Sequence, residues 1–362
     1  MKRRTTPLNS VQREMGARMV EFAGWELPVQ FEGALKEHLA VRSRAAVFDV
    51  SHMGRLEFRG PDALLLAQEL TSNDVLRLQD GQAQYSSFLT PKGTFLDDIV
   101  LYRISAERIL ICVNAATCEK DLEWIESRRK GRVQVVDRSE STAQLAIQGP
   151  KAEKILQQLT EADLKTVRFY RFVQAELAGA SCLISRTGYT GEDGFEVYSP
   201  ADAAEGVWRK MFDAGRPHGL APAGLAARNT LRLEMRYPLY GNDIDERRTP
   251  LEAGLGWIVK FEKPSFVGRE ALLRQKDEGP AELRVGFELM EPGIARDGFP
   301  ALYEGQAIGR VTSGSFSPSL EKSIGLVYFP ADRAAEETEF EIDVRGKRRR
   351  ARIVPTPFYR KN

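Results

Sequence analysis

Helix-type and strand-type patterns occur in clusters along this chain, and their order constrains the fold more than any other feature. Periodic apolar positions typical of helices occupy residues 33–44, 61–70, 117–129, 150–159, 201–214, 222–235 and 269–276. Patterns typical of strands occupy residues 55–58, 85–89, 95–104, 109–113, 133–136, 145–148, 180–185 and 195–198. Pro61 and Pro150 are predicted to stand at first helical positions. Because strands and helices do not alternate strictly, the order predicts an α+β fold with antiparallel sheets.

The character of the chain changes after the polar segment 275–280. From Leu283 onward, short strand patterns and turns follow without a convincing helix. This predicts a separate C-terminal β-barrel or sandwich of about 80 residues, joined by a polar linker. A chain of 362 residues is also too long for one simple core, so two or three domains are expected.

Composition excludes several classes of protein. The net charge is +1 and 28% of residues are charged, an ordinary profile that gives no bulk attraction to nucleic acid. The basic N-terminus is followed by polar residues, which argues against a signal peptide, and no apolar run approaches the length of a membrane span. Cys112, Cys118 and Cys182 are odd in number and lack paired spacing. They are interpreted as reduced thiols of a cytoplasmic protein.

Motifs of the commoner enzyme classes are missing from the sequence. The three histidines are too scattered for a metal site, and His38 and His52 have no second ligand at the usual spacing. The phosphate-binding and dinucleotide-binding glycine patterns are absent. No Gly-x-Ser-x-Gly elbow occurs. These absences remove the commoner enzyme classes.

Two adjacent acids, Asp97 and Asp98, interrupt the apolar strand pattern 95–102. Successive side chains of a strand point to opposite faces, so the two carboxylates have different surroundings. Asp98 lies in line with Leu96 and Val100. A carboxylate among buried neighbours is costly unless it is hydrogen-bonded or paired, which makes the pair a candidate site. The alternative is an edge strand or bulge with both acids in water.

A glycine-rich segment, residues 186–196, connects two strand patterns and ends at Glu196. Its glycines predict a flexible turn that allows close approach of the backbone to a ligand, and Tyr189 offers a flat amphipathic surface. A buried carboxylate such as Glu196 can accept two parallel N–H bonds from a planar, amidine-like edge. The alternative is a simple turn.

Two further basic features have open interpretations. Arg228 and Arg232 share a helix face and could bind a ligand carboxylate or form an internal ion pair. The basic run 347–352 follows a turn at Gly346 and is expected to lie on a solvated terminal hairpin. A phosphate-binding or partner-docking role for this run is the alternative.

Several stretches resemble the aminomethyltransferase family of the glycine cleavage system, whose members are called T proteins. In order along the chain they are FAGWELPVQ at 22–30, EHLAVR at 37–42, FDVSHMG at 48–54, LDD at 96–98, residues 185–196, LYGNDIDE at 239–246 and TSGSFSP at 312–318. The resemblance extends from Thr6 to Arg360, nearly the whole chain.

The resemblance implies a three-lobed, cloverleaf-like folate-binding fold. Two interleaved lobes would lie within residues 1–275, and residues 280–362 would form the C-terminal β-barrel domain. The implied reaction takes the aminomethyl group carried on the lipoyl arm of H protein and delivers its one-carbon unit to tetrahydrofolate. The products would be 5,10-methylenetetrahydrofolate, ammonia and dihydrolipoyl H protein. The resemblance further implies a protein that is monomeric alone, uses tetrahydrofolate as co-substrate and has no metal, nucleic-acid or membrane partner.

The resemblance also implies roles for individual residues. Asp98 would be the catalytic aspartate near the folate nitrogens N5 and N10, and Glu196 would bind the pterin edge. The other cofactor-binding positions implied are Met53, Tyr85, Asn114, Tyr170, Tyr189, Arg228 and Tyr237. The chain departs from the family pattern at Asn229, where an acid is usual, and at Phe358, where many members have a tyrosine.

Competing interpretations come from the same fold and from other classes of protein. A folate-dependent demethylase on this fold would move a different one-carbon group, and fold analogy alone does not settle the substrate. A noncatalytic folate-binding protein that assists iron–sulfur maintenance would carry a Lys-Gly-Cys-type motif, which is absent from the sequence. A structural or adaptor protein would not account for the matching stretches.

Overall fold

The computed structural model describes residues 3–361, which belong to two compact units. The first unit comprises the described residues up to Ser86 together with Asp98–Arg228. The second comprises Ser87–Asp97 and the described residues from Asn229 onward. The predicted domain boundary at residues 275–280 and the predicted lobes stay predictions.

Seven of the eight α-helices of the described residues lie close to predicted segments, and the first was not predicted. The eight helices are α1 Asn9–Glu14, α2 Ala34–Ser43, α3 Ala63–Leu70, α4 Cys118–Arg128, α5 Ala152–Leu156, α6 Ala204–Gly215, α7 Leu225–Glu234 and α8 Arg269–Glu278. The prediction for Pro61 and Pro150 was wrong by two positions, because α3 begins at Ala63 and α5 at Ala152. Each proline is instead the second residue of a β-turn. The first turn has a hydrogen bond from Ala63 N–H to Gly60 O, and the second has one from Ala152 N–H to Gly149 O.

Three sheets contain the strands up to residue 222. The strands are β1 Arg4–Thr5, β2 Arg18–Phe22, β3 Trp25–Gln30, β4 Ala46–Asp49, β5 Gly54–Arg59, β6 Gln82–Leu89, β7 Phe95–Ser105, β8 Arg108–Val113, β9 Gln134–Asp137, β10 Thr142–Gln148, β11 Phe172–Leu177, β12 Ala180–Ser185, β13 Gly194–Pro200 and β14 Ala221–Pro222. The sheets have the orders β1-β3-β2, β11-β12-β13-β10-β4-β14 and β6-β7-β8-β5-β9. Most registers are antiparallel, as predicted, and the two short pairings β1–β3 and β14–β4 are parallel.

The six-stranded sheet has one apolar face and one face with polar groups. Phe195 and Val197 of β13 pack into a core with Leu145 and Ile147 of β10 and with Trp208 of α6. Because strand side chains alternate, Glu196 and Tyr198 project from the other face. The sequence pattern of β13 therefore fixes which side of the sheet carries the candidate carboxylate.

A second, smaller cluster lies on that other face within the first unit. It contains Tyr198 and Leu183 of the six-stranded sheet and Tyr102, Leu110 and Cys112 of the five-stranded sheet. Val100 packs against the same cluster. Asp98 precedes Val100 by two positions on β7, so its side chain leaves the strand on the face that meets the cluster.

The second unit contains a closed six-stranded barrel, which confirms the predicted C-terminal β-barrel. Its strands are β15 Glu282–Leu289, β16 Pro300–Tyr303, β17 Gln306–Ser317, β18 Lys322–Pro330, β19 Glu339–Val344 and β20 Lys347–Val354. Their order around the barrel is β15-β18-β17-β16-β19-β20. The expectation of only short strands was wrong for β17, which has 12 residues, because a register shift near Val311 lets one strand continue around the barrel.

The basic run lies on the predicted terminal hairpin. Strand β20 pairs with β19 across a turn at Gly346, whose φ is +82°. Arg348 pairs with Glu341 at 3.2 Å, and Arg350 lies 3.5 Å from Glu291. Acidic neighbours on the barrel thus offset part of the positive charge.

No α-helix within residues 3–361 is long and apolar enough to cross a membrane.

Candidate functional site

Two neutral donors hold the Asp98 carboxylate. The Tyr85 hydroxyl, on β6, donates to Asp98 Oδ2 at 2.9 Å. The Asn114 side-chain amide, directly after β8, donates to Asp98 Oδ1 at 2.9 Å. Each carboxylate oxygen therefore receives a bond from a different neighbouring strand, which fixes the plane of the carboxylate.

The ionisation of Tyr85 agrees with this arrangement. Burial raises the pKa of Tyr85 well above its ordinary value, and the charge of Asp98 and the hydrogen bond to it raise the pKa further. The phenol consequently keeps its proton and acts as the donor. Asp98 is half-buried, so part of the residue remains accessible.

The neighbouring acid, Asp97, lies in different surroundings. Its side chain is fully buried, whereas Asp98 is only partly so. The alternative in which both acids face water was therefore wrong for Asp97. Strand alternation separates the two carboxylates, as the sequence predicted.

The second candidate carboxylate, Glu196, is buried, with 8% of the residue exposed. Gln144 Nε2 donates to Glu196 Oε1 at 3.1 Å, and Thr187 Oγ1 donates to Oε2 at 2.6 Å. The register of β10 with β13 places Gln144 two residues from the position opposite Glu196, on the same face. These two bonds offset part of the cost of burying the charge.

The glycine-rich segment is held by the protein itself, so the prediction of a flexible turn is corrected. An added Cβ at Gly188 would collide with the Gln148 side chain, and one at Gly194 would collide with the backbone of β10. The Thr190 hydroxyl donates to Gln148 Oε1 at 2.8 Å. Arg42 forms a buried ion pair with Glu192 at 3.2 Å. The glycines are required for close packing, and this packing fixes Tyr189 and Glu196.

The two arginines of α7 have different surroundings. The Arg228 guanidinium lies over the Tyr189 ring, 4.6 Å from its centroid, and no ion pair involves Arg228 among the described residues. Arg232 forms a buried ion pair with Asp243 at 2.5 Å, so the ion-pair interpretation holds for Arg232. Asn229, at the position where an acid is usual, accepts from Arg232 Nη2 at 2.7 Å. The neutral amide thus still serves as an acceptor.

The remaining predicted residues fall into two groups. Met53 and Tyr170 pack against the cluster of Tyr102 and Tyr198, and Tyr170 and Tyr189 both contribute electrostatically to the raised pKa of Tyr85. These residues belong to the first unit with Asp98, Asn114, Glu196 and Arg228. Tyr237 belongs to the second unit, and its place in the site stays a prediction.

His52, next to Met53, is buried, and its Nδ1 has no hydrogen-bond partner. Burial lowers the pKa of His52, and the positive charges of Arg228 and Arg55 lower it too, to about 3 in all. The imidazole is therefore neutral at physiological pH.

Sequence reasoning missed the residues that hold the second carboxylate, Gln144 and Thr187, and the arginine that fixes the loop, Arg42. The available signal for Gln144 was an amide within an apolar strand pattern. No group of three or more His, Cys, Asp or Glu residues within residues 3–361 is placed to hold a metal ion.

Comparison with known proteins identifies the family. Residues 8–263 match the GCVT N-terminal domain, and residues 283–360 match the glycine cleavage T-protein C-terminal barrel domain. The chain is 49% identical over 357 residues to the aminomethyltransferase of Desulfitobacterium hafniense strain Y51, covering 98% of each chain. It is also 49% identical over 358 residues to that of Shouchella clausii strain KSM-K16, again covering 98% of each.

A solved structure agrees with these sequence relatives. The glycine cleavage system aminomethyltransferase T from Bartonella henselae is 34% identical, with a TM-score of 0.93 over 99% of this chain and 98% of that one. The chain therefore belongs to the glycine cleavage T-protein family and is an aminomethyltransferase.

Proposed function

We propose that this aminomethyltransferase acts on the aminomethyl group carried by the lipoyl arm of H protein and transfers its one-carbon unit to tetrahydrofolate. The products are 5,10-methylenetetrahydrofolate, ammonia and dihydrolipoyl H protein. The observation that carries the proposal is the Asp98 carboxylate, held by Tyr85 and Asn114 at 2.9 Å each in a chain that matches the family over its whole length.

The chemistry needs little from the protein beyond position and charge. Loss of ammonia from the thioether-bound aminomethyl group leaves a methylene-sulfonium carbon, which one folate nitrogen attacks. The second folate nitrogen then bonds to the same carbon as its C–S bond breaks, and the sulfur leaves as the thiol of dihydrolipoyl H protein. The two folate N–H protons are accounted for by the departing ammonia and by this thiol. Both reacting groups belong to the substrates, so the protein supplies orientation, electrostatics and exclusion of water. A fixed carboxylate beside the developing cation stabilises it and can accept a proton from the attacking nitrogen.

The proposed roles follow from the contacts. Asp98 acts next to N5 and N10 of the folate, with its carboxylate plane set by Tyr85 and Asn114. Glu196 accepts N–H groups of the pterin edge, because a carboxylate fixed in one orientation matches a planar pair of donors. Arg228 stays available to an anionic group of the ligand, since it has no acidic partner among the described residues. Met53, Tyr170, Tyr189 and Tyr237 are proposed to line the folate site.

The test is a direct assay with purified, aminomethyl-lipoylated H protein. Formation of ammonia and 5,10-methylenetetrahydrofolate in equal amounts, dependent on both H protein and tetrahydrofolate, is the expected result. A thermal-shift measurement adds an independent check, because a ligand of the native state must raise the melting temperature. Folate binding with no turnover of H protein, but with turnover of a small N-methylated amine, would favour the demethylase alternative and refute the proposal.

A further inference from the structure

We infer that Thr187 and Gln144 are positioning residues that hold Glu196 as a pure hydrogen-bond acceptor and so restrict the site to ligands that present a planar pair of N–H donors. This inference rests on the proposed function of Glu196 at the pterin edge. It goes further because it assigns the specificity to a buried network and not to the carboxylate alone.

The hydrogen bonds that lead through Thr187 to Glu196, the Thr187 branch of the network, can be donated in one direction only. The Thr187 hydroxyl has a single proton and lies 2.6 Å from Glu196 Oε2 and 3.1 Å from Ser185 Oγ. The shorter contact takes the proton, because a carboxylate can only accept. The 3.5 Å contact between Tyr102 and Thr187 must then run from the phenol to Thr187, and the Tyr198 hydroxyl donates to Tyr102 at 2.9 Å. Tyr198, Tyr102 and Thr187 therefore form a chain of donors directed toward Glu196.

Burial supports this direction. It raises the pKa values of Tyr102 and Tyr198 well above their ordinary value, so both phenols keep their protons. Chains of hydrogen bonds that point the same way strengthen one another in a low-dielectric interior.

The Gln144 branch is fixed in the same way. Gln144 Nε2 donates to Glu196 Oε1, and Gln144 Oε1 accepts from the Cys112 thiol at 3.5 Å. Burial raises the pKa of Cys112 to about 12, so the sulfur remains a donor. A flipped amide would place its oxygen against the Glu196 carboxylate and its NH₂ against a protonated thiol. The observed orientation is therefore the one that the surroundings allow.

The two branches together determine what Glu196 can recognise. Each carboxylate oxygen receives one internal donor and keeps acceptor capacity for one ligand N–H. A ligand edge that presents an acceptor would meet a carboxylate with no proton to donate. The network thus selects amidine-like and aminopyrimidinone-like edges.

The test compares Thr187→Val with Thr187→Ser. Valine keeps the shape of threonine without its hydroxyl, and serine keeps the hydroxyl. We expect Thr187→Val to weaken tetrahydrofolate binding about 10- to 100-fold, the effect of one charged hydrogen bond, and to raise KM while kcat changes less than about twofold. Thr187→Ser should restore both values to near those of the wild type.

Thr6→Val is the matched control. Thr6 is a buried threonine of the first unit whose hydroxyl donates to the Asp49 carboxylate at 2.6 Å, the same distance as between Thr187 and Glu196. The variant reports the general cost of losing a buried hydroxyl-to-carboxylate bond outside the proposed site, and its folate affinity should stay within about threefold of the wild type. Circular dichroism and melting temperatures establish that each variant is folded. Should Thr187→Val not fold, Gln144→Leu removes the donor of the other branch, and a folded Gln144→Leu protein with unchanged folate affinity overturns the inference.

A ligand analogue separates positioning from structural damage. A tetrahydrofolate analogue that lacks the pterin amino group should bind the wild type weakly, and Thr187→Val should bind it almost as well as the wild type does. If the loss of binding free energy caused by Thr187→Val and the loss caused by removal of the amino group add up in the combined measurement, the inference is wrong. Unchanged folate affinity in a folded Thr187→Val protein also overturns it, provided that Glu196→Ala weakens binding. If Glu196→Ala too has no effect, the proposed role of Glu196 fails first.

Discussion

Replacement of Asp98 by Asn is expected to reduce catalysis while the protein stays folded. The change is nearly isosteric, and the structure gives its cost. Each carboxylate oxygen takes one donor at 2.9 Å, from Tyr85 and from Asn114. An asparagine can keep the bond from Asn114 through its oxygen and reverse the bond with Tyr85, because a phenol oxygen also accepts. The difference between charged and neutral bonds is then about 1 kcal/mol, which a folded domain tolerates.

The catalytic cost of the same change is larger. On the proposed mechanism, the variant lacks a negative charge beside the developing cation and a group that can accept a proton, and such groups contribute about 10²- to 10⁴-fold. At about 1.36 kcal/mol per factor of ten, this equals about 2.7–5.5 kcal/mol of transition-state stabilisation. We therefore expect a folded protein that binds tetrahydrofolate with similar affinity and has a kcat lower by two to four orders of magnitude.

The assay combines single-turnover rates with aminomethyl-lipoyl H protein, calorimetric folate affinity and thermal unfolding. Asp97→Asn is the paired variant. Because Asp97 is fully buried, its replacement should lower the free energy of unfolding by about 1–3 kcal/mol and change kcat little in the folded fraction. The assignment is refuted if Asp98→Asn retains activity while folded Asp97→Asn is inactive.

The other predictions concern folate binding, association with H protein and the pH dependence of the free energy of unfolding. Glu196→Ala should weaken folate binding by roughly 1.5–3 kcal/mol, measured by calorimetry on a folded variant. Charge reversal of Arg348 and Arg350 should slow association with an acidic H protein and reduce its salt dependence in stopped-flow experiments; an unchanged salt slope would leave the run as a solvated hairpin. His52 has a folded-state pKa of about 3, below its unfolded value of about 6.5, so its stabilisation is complete above pH 6.5 and falls as the pH decreases. Unfolding free energy should drop by about 1.6 kcal/mol from pH 6.5 to 5 on this account, and His52→Gln should reduce that slope.

The sequence alone determined the local features of this protein. Alternation in β7 separated Asp97 from Asp98, and alternation in β13 placed Glu196 opposite the apolar face that carries Phe195 and Val197. Such features depend on a strand's own residues, so they can be predicted without knowledge of its neighbours. The change of pattern after residue 280 likewise predicted a C-terminal β-barrel or sandwich, and the matched stretches predicted the family.

The donors that hold the carboxylates were decided by the tertiary structure. Gln144 meets Glu196 because β10 pairs with β13 in one register, and a shift of one residue would turn the amide to the other face. The same holds for Tyr85 on β6 and for Asn114, the residue after β8, which reach Asp98 from either side of β7. Strand order and register depend on contacts between residues far apart in the chain, which local patterns do not encode.

Arg228 and Arg232, on a single helix, also show that local patterns do not predict which group a side chain meets. Their spacing places them on one face, yet one lies over Tyr189 and the other pairs with Asp243. The sequence left a ligand contact and an ion pair open for both, since spacing fixes the direction of a side chain but not the charge it meets. Only the tertiary structure brings the buried Asp243 to Arg232, because segments distant from the helix decide which charge each arginine meets.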